Sequence, residues 1–231
     1  MLGIGRVSGY RLWCILNAGM RIRWNRGVWT TSFARGGRIF SILVLAGSLV
    51  ASVYFAMVSK AAPPCPCNIF SASLPDSPLN VYSQPGGIEV GVRFTADQSG
   101  YINGIKFYKV AGMAGTHTAS LWTSNGQQIA QAVFTSESAQ GWQQVDFSPV
   151  AIAAGTTYTA SVLMADGNYT SQANYFTSDI INSPLTAPKD GTAYDSLGNS
   201  GQGIYTATAT SAYPSSSYNA SNYWVDVSYV G

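Results

Sequence analysis

Charge is scarce in this chain. Only 10% of its 231 residues are Asp, Glu, Lys or Arg, and His117 is its single histidine. Between Ile39 and Ser59, in "IFSILVLAGSLVASVYFAMVS", charge is missing altogether. From Asn68 onward no segment carries the apolar spacing of an amphipathic helix. Motifs that bring a mechanism with them are also missing: there is no G-x-S-x-G nucleophile turn, no H-E-x-x-H pair and no phosphate-binding glycine loop. There are three cysteines, Cys14, Cys65 and Cys67, and two thiols with a distant histidine do not complete a tetrahedral zinc site. The expectation is a protein that is not an enzyme and has no obligate cofactor.

The charge that is present is unevenly divided. Arg6, Arg11, Arg21, Arg23, Arg26, Arg35 and Arg38 all precede the first acid, Asp76. From Ala62 on, four bases (Arg93, Lys106, Lys109 and Lys189) face all ten acids, a formal charge of −6. The overall +2 therefore belongs to the leader, and the acidic remainder argues against a nucleic-acid partner.

Residues 1–38 read as a basic cytoplasmic leader, with Met20 in "MRIRWNRG" as a second candidate start. Residues 39–59 form one apolar segment long enough to cross a bilayer, with the arginines holding its N-terminal end inside. Two readings stand. One is a signal peptide cleaved after Ala61, where "SKA" supplies small residues. The other is an uncleaved transmembrane anchor, which would make the membrane a partner. Either one exports the remainder, so the expected location is secreted or on the cell envelope. Residues 60–67 form a stiff Pro/Cys linker. Within it Cys65 and Cys67 are expected to pair as a local disulfide in an oxidising compartment. Lipidation is disfavoured, because Pro64 and Pro66 precede these cysteines where a small residue is wanted.

Residues 68–231 show short period-two runs between turn signals: "GIEVGVRFT", "GYINGIKFYK", "HTASLWTS", "QIAQAVFT", "WQQVDFS", "TTYTASVLMA", "NYTSQANYF" and "NYWVDVSYV". Eight or nine such runs predict an all-β fold, a two-sheet antiparallel β-sandwich of jelly-roll-like kind. In "TYTASVLM", Tyr158, Ala160, Val162 and Met164 share one face, and the face with Thr157, Thr159, Ser161 and Leu163 is expected to meet water. Phe94, Ile105, Phe107, Leu121, Val145 and Phe147 read as core. The long polar stretch from Ser183 to Ala220 is too rich in tyrosine for plain disorder. It predicts ordered loops packed over one end or face of the sandwich, with a short strand around Ile204 to Thr206.

The segments "CPCNIF", "VGVRFTADQSGYINGIKFYK", "GTHTASLWTSNGQQIAQAVF", "GWQQVDFS", "AGTTYTASV" and "ASNYWVDVSYV", in this order, resemble the domain of unknown function 4082 family. That resemblance implies an exported bacterial domain, often found in large modular proteins beside immunoglobulin-like repeats or enzyme domains. It implies no activity. The expectation for this chain is a departure from the modular pattern, with one copy and no companion domain.

Candidate site residues come from the aromatics, which make up 13% of the chain. In the closing run, Tyr223, Val225, Val227 and Tyr229 form one face, the expected core face, and Trp224 and Asp226 are expected to look outward together. An exposed ring beside a carboxylate, near Tyr194, Tyr205, Tyr213 and Tyr218, is what a sugar-binding surface uses. The alternative is that the tyrosine-rich loops cover Trp224 as a second small core. His117, level with Ala119 and Leu121 on its strand, reads as structural. Asp166 in "MADGN" and Asp190 in "PKDG" offer oxygens for a structural calcium, against the plainer reading as solvated turn acids. The leading expectation is an exported, non-catalytic binding module for a glycan or cell-surface polymer. The alternatives are a structural or adhesive protein making protein contacts, and a hydrolase whose carboxylate pair meets only in the fold.

Overall fold

The structure is a computed structural model that describes residues 67–71, 73–76 and 79–231 in full and, before them, the backbone of four strands. The chain divides into two compact units, Met1–Ser59 and Lys60–Gly231. In the first, β1 (Ile15–Leu16), β2 (Met20–Asn25), β3 (Val28–Arg35) and β4 (Arg38–Leu45) follow one another as an antiparallel meander. Residues 46–66 lie outside the described residues. With them lie most of the apolar run, the Ala61 cleavage position and Cys65. Among the described residues no helix is long and apolar enough to cross a membrane.

The second unit is all-β. Its strands are β5 (Val81–Ser83), β6 (Ile88–Ala96), β7 (Gly100–Lys109), β8 (His117–Thr123), β9 (Gln128–Val133), β10 (Gly141–Ile152), β11 (Tyr158–Met164), β12 (Asn168–Thr170), β13 (Ile180–Asn182), β14 (Leu185–Ala187), β15 (Ile204–Ala207), β16 (Ser216–Ser217) and β17 (Val225–Val230). One sheet has the order β10-β7-β17. A larger one runs β13-β14-β6-β11-β8-β9, with β15 also paired to β6 and β16 to β15, while β5 and β12 form a separate pair. β17 packs on β6 and β11, and β7 on β8 and β11, so the two main sheets face each other as an antiparallel sandwich.

Period two explains the core. In the larger sheet the register sets Phe94 beside Tyr158, Ala160 between Val92 and Leu121, and Val162 between Val90 and Ala119. All of these are buried, and they meet Ile105, Phe107 and Val227 from the smaller sheet. Each Val, Leu, Ile or Phe among them contributes roughly 1.5–3 kcal/mol through burial. Val145 and Phe147 are half-buried, at the margin of the core. The reason lies in β10, which has Pro149 near its middle. Proline cannot donate to the ladder, and the pairing with β7 slips between Asp146 and Val150.

The turn chemistry is also local. Between β11 and β12 the chain reverses at Asp166–Gly167, where Gly167 has φ +79 and a Cβ would collide with the Gln84 carbonyl.

The expectation that Thr159, Ser161 and Leu163 face water is corrected. Every residue of β11 is buried. In the stretch from Pro188 to Ser217, β15 extends the sheet beside β6, and the segments around Asp195, Gln202, Ser211 and Tyr213 hydrogen-bond to polar groups of the larger sheet. Arg93 donates to Asp195 at 2.9 Å, with both side chains fully buried, and also to the Gly201 carbonyl. Gln202 clamps the Arg93 backbone from both sides, accepting its N–H at 2.8 Å and donating to its carbonyl at 2.7 Å. Tyr213 sits over Trp122, with ring centroids 5.8 Å apart. The polar outer face is thus an interior surface whose partners come from the loop rather than from water.

Candidate functional site

The outer face of the β10-β7-β17 sheet is the candidate site. Strand register sets its rows: Trp142 lies opposite Tyr108, and Gln144, Lys106 and Asp226 form one line across the three strands. The next row holds Asp146 and Gly104, and Asp146 accepts a hydrogen bond from Gln144 Nε2 at 2.7 Å. A side chain at position 104 would run into Asp146 and the Val145 carbonyl, so the glycine keeps this row low.

A hollow of about 170 Å³ opens here, lined by Asn68, Ser71, Lys106, Trp142, Gln144 and Asp226. Trp142 is half-buried and forms one wall. Its ring is held from behind by Phe70 at 6.5 Å, Trp224 at 6.3 Å and Tyr108 at 5.6 Å between centroids. Lys106 forms no ion pair with a described residue. The Asn68 side-chain oxygen has no hydrogen-bond partner. The hollow therefore combines an aromatic wall with a cation, amides, a hydroxyl and a carboxyl, a set that can bind hydroxyl groups and a sugar's C–H face.

Asp226 forms the floor. Its oxygens accept the backbone N–H groups of Ile69 at 2.6 Å, Val227 at 2.7 Å and Phe70 at 3.3 Å. Burial pushes its carboxyl up to about 6, against the opposing pull of these bonds and of the Lys106 charge.

The expectation that Trp224 and Asp226 look outward together is corrected: each is only 1% exposed. Two physical reasons account for this. Trp224 has φ +56, a left-handed conformation rare for a bulky residue, so strict alternation begins only after it. Its ring turns into a cluster with Phe70 at 5.4 Å and Tyr175 at 5.2 Å. The segment from Cys67 to Phe70 then lies along β17 and covers Asp226, with Cys67 and Tyr229 exchanging backbone bonds at 2.9 and 2.8 Å. Cys67 is disulfide-bonded. The Cys65–Cys67 pairing involves Cys65, which lies outside the described residues.

The loop tyrosines are not gathered around Trp224. Tyr194 and Tyr218 are exposed at 56% and 63%. Tyr213 belongs to the other sheet's outer face, donating to Asp195 at 3.0 Å. Tyr205 joins a separate stack with Tyr223, Tyr169 and Tyr82. The ring that does stand at the hollow is Trp142. Its signal was in "GWQQVDF", where Trp142, Gln144 and Asp146 fall on the face opposite Val145 and Phe147.

The remaining candidates are structural in their geometry. His117 is fully buried with Ala119 and Leu121, contacts Glu137 through Nδ1 at 2.7 Å and packs at a tilt against Phe107, while its Nε2 has no partner. Glu137 also accepts from Lys109 at 2.6 Å. Asp166 is an exposed turn acid holding the Asn168 N–H at 3.1 Å, and Asp190 holds the Gln202 N–H at 2.8 Å. Glu89 is sealed under the loop. Its oxygens accept from Ser161 at 2.5 Å and Ser211 at 3.2 Å, and burial pushes its carboxyl up to about 7 despite these bonds. Burial would also raise Asp195, but bonds from Asn199 and Tyr213 and the Arg93 charge outweigh it and hold that carboxyl low.

No curated protein and no solved structure matches the chain. The profile of the domain of unknown function 4082 matches residues 74–225, from just after the segment that covers β17 to the first residue of β17 itself. The chain belongs to the domain of unknown function 4082 family.

Proposed function

We propose that this protein is an exported, non-catalytic glycan-binding module whose site is the outer face of the β10-β7-β17 sheet. The observation that carries the reading is the half-buried Trp142 ring standing over Lys106, Gln144 and Asp226 in one hollow. A ring backed by three other aromatics presents its face without losing conformational entropy, and the polar groups below it are placed to bind hydroxyls. The carboxyl pushed furthest toward neutrality, Glu89, does not line this hollow, and the carboxyl that does, Asp226, has its oxygens engaged by three backbone N–H groups. Export rests on the arginine-flanked apolar segment.

The test is a glycan array on the full chain in mild detergent, with and without chelator, using wild type and Trp142→Ala. Binding that Trp142→Ala abolishes supports the reading. Absence of binding to every saccharide, or binding unaffected by Trp142→Ala, rejects it. A second reading, protein contact, draws on Tyr194, Leu197 and Tyr218, each more than half exposed on the loops. Substituting all three with serine should abolish partner capture on that reading and leave glycan binding intact on the first.

A further inference from the structure

We infer that the surface read above as a glycan site contains a second subsite, and that it takes an unbranched, uncharged glycan chain of several units rather than a single terminal sugar or an acidic polymer. This rests on the glycan reading and adds to it the length and charge of the ligand.

Length follows from a second hollow of about 260 Å³, walled by residues that include Pro75, Leu79, Tyr108, Ala111 and Gln140. Tyr108 of this hollow and Trp142 of the first are in edge-to-face contact, so the two hollows share a continuous aromatic wall. The same stretches of chain flank both. Asn68 and Ser71 stand over the first and Pro75 and Leu79 over the second, while Trp142 lines the first and Gln140, two residues before it, lines the second. Along β7 the hollows run from Lys106 to Lys109, about 10 Å of extended strand. That is longer than one pyranose ring. A chain lying along β7 puts one unit in each hollow and crosses the two rings between them. The second hollow mixes apolar walls from Pro75, Leu79, Val110 and Ala111 with the polar groups of Lys109 and Gln140, so it can meet both a sugar's C–H face and its hydroxyls.

Charge follows from what surrounds the two lysines. Lys109 is already neutralised by Glu137 at 2.6 Å. Lys106 is flanked by Asp226, and Asp146 lies one row beyond. The unit as a whole carries −6 from Ala62 onward. Repeated carboxylates on a ligand would meet like charge along this face, whereas neutral hydroxyls can donate to the exposed Asp146.

The test is calorimetric titration of the full chain in mild detergent with cello- and chito-oligosaccharides of one to six units, and with oligogalacturonates of the same lengths. Affinity for a neutral series should rise at least tenfold between one and four units and then level, with the acidic series at least tenfold weaker. Ala111→Trp, which fills the second hollow from an exposed position, should remove the gain with length; Gln140→Trp, on another wall, makes the same test if the first variant does not fold. A single sugar binding as tightly as the tetrasaccharide, or acidic chains binding as well as neutral ones, overturns this inference and leaves the glycan reading standing. Failure of every saccharide to bind overturns both.

Discussion

Asp226 holds Ile69, 157 residues away in sequence, through a 2.6 Å hydrogen bond from the Ile69 backbone N–H to its carboxylate. The other carboxylate oxygen accepts from Phe70, and the contact fixes the segment that forms one side of the hollow. Asp226→Ala would strand these buried donors, at a cost of about 1–3 kcal/mol. Denaturant unfolding should record that loss, and hydrogen exchange at the Ile69 amide should accelerate with it. Unchanged exchange at Ile69 would show that the segment is held by other contacts.

Trp142 and Trp224 should separate under mutation. Trp224 is buried among Phe70, Tyr175 and Trp142, so Trp224→Ala should cost about 3–5 kcal/mol of stability. Trp142→Ala removes a half-buried ring. It should lower stability by less, and weaken glycan binding by about 1–3 kcal/mol through lost stacking, taking base stacking as the guide. Chemical denaturation and calorimetric titration of the two variants would decide the matter; equal stability losses would contradict the assignment.

The two raised carboxyls set a pH dependence. Glu89 is pushed up to about 7 and Asp226 to about 6, from ordinary values of 4.5 and 3.8. The folded protein thus binds protons more tightly than the unfolded chain, and stability falls as pH rises from 4.5 to 7 for Glu89 and from 3.8 to 6 for Asp226. Asp195 acts in the opposite sense. Held below 3.8, it contributes stability above that pH that is lost on further acidification. The melting temperature should therefore be highest near pH 4–5 and fall steadily as pH rises toward 8. Glu89→Gln should remove most of the slope between pH 5 and 7. A flat profile across that range would contradict this.

Arg93 and Asp195 join the loop to the sheet. Arg93→Met leaves Asp195 buried without its cation and should destabilise the protein by about 3–5 kcal/mol. The loss should be visible locally as faster proteolysis between Pro188 and Ser217. Global unfolding with no preference for cleavage in that stretch would show that the loop and sheet are one cooperative unit.

What was legible in the sequence follows from the range of the interactions. β6, β7, β8 and β9 begin and end close to where period-two patterning placed them, because alternation and turn residues are local properties. The ordered loop with a strand at Ile204 was also legible, through its tyrosines. Two things were not. The outer face of β11 looks solvent-facing in sequence because Thr159 and Ser161 are polar. Its partners, including Tyr213 and Glu89, are more than 50 residues away. Trp224 was misplaced because alternation assumes extended backbone, and its left-handed φ depends on the Asn222 side chain accepting the Trp224 N–H at 2.8 Å. Trp142, by contrast, lay on a face that the same alternation identifies.

The covering of β17 by Cys67 has a consequence for self-association. β17 is paired to β7 on one side only, and an unpaired strand flank is a template for another chain's strand. Cys67 meets Tyr229 there through two backbone bonds, and Asp226 binds the N–H groups of Ile69 and Phe70 further along the segment. These few residues thus close the open flank of the smaller sheet. A protein that lost them would expose an apolar strand carrying Val225, Val227 and Tyr229, with free backbone groups, and would tend to pair with its own copies.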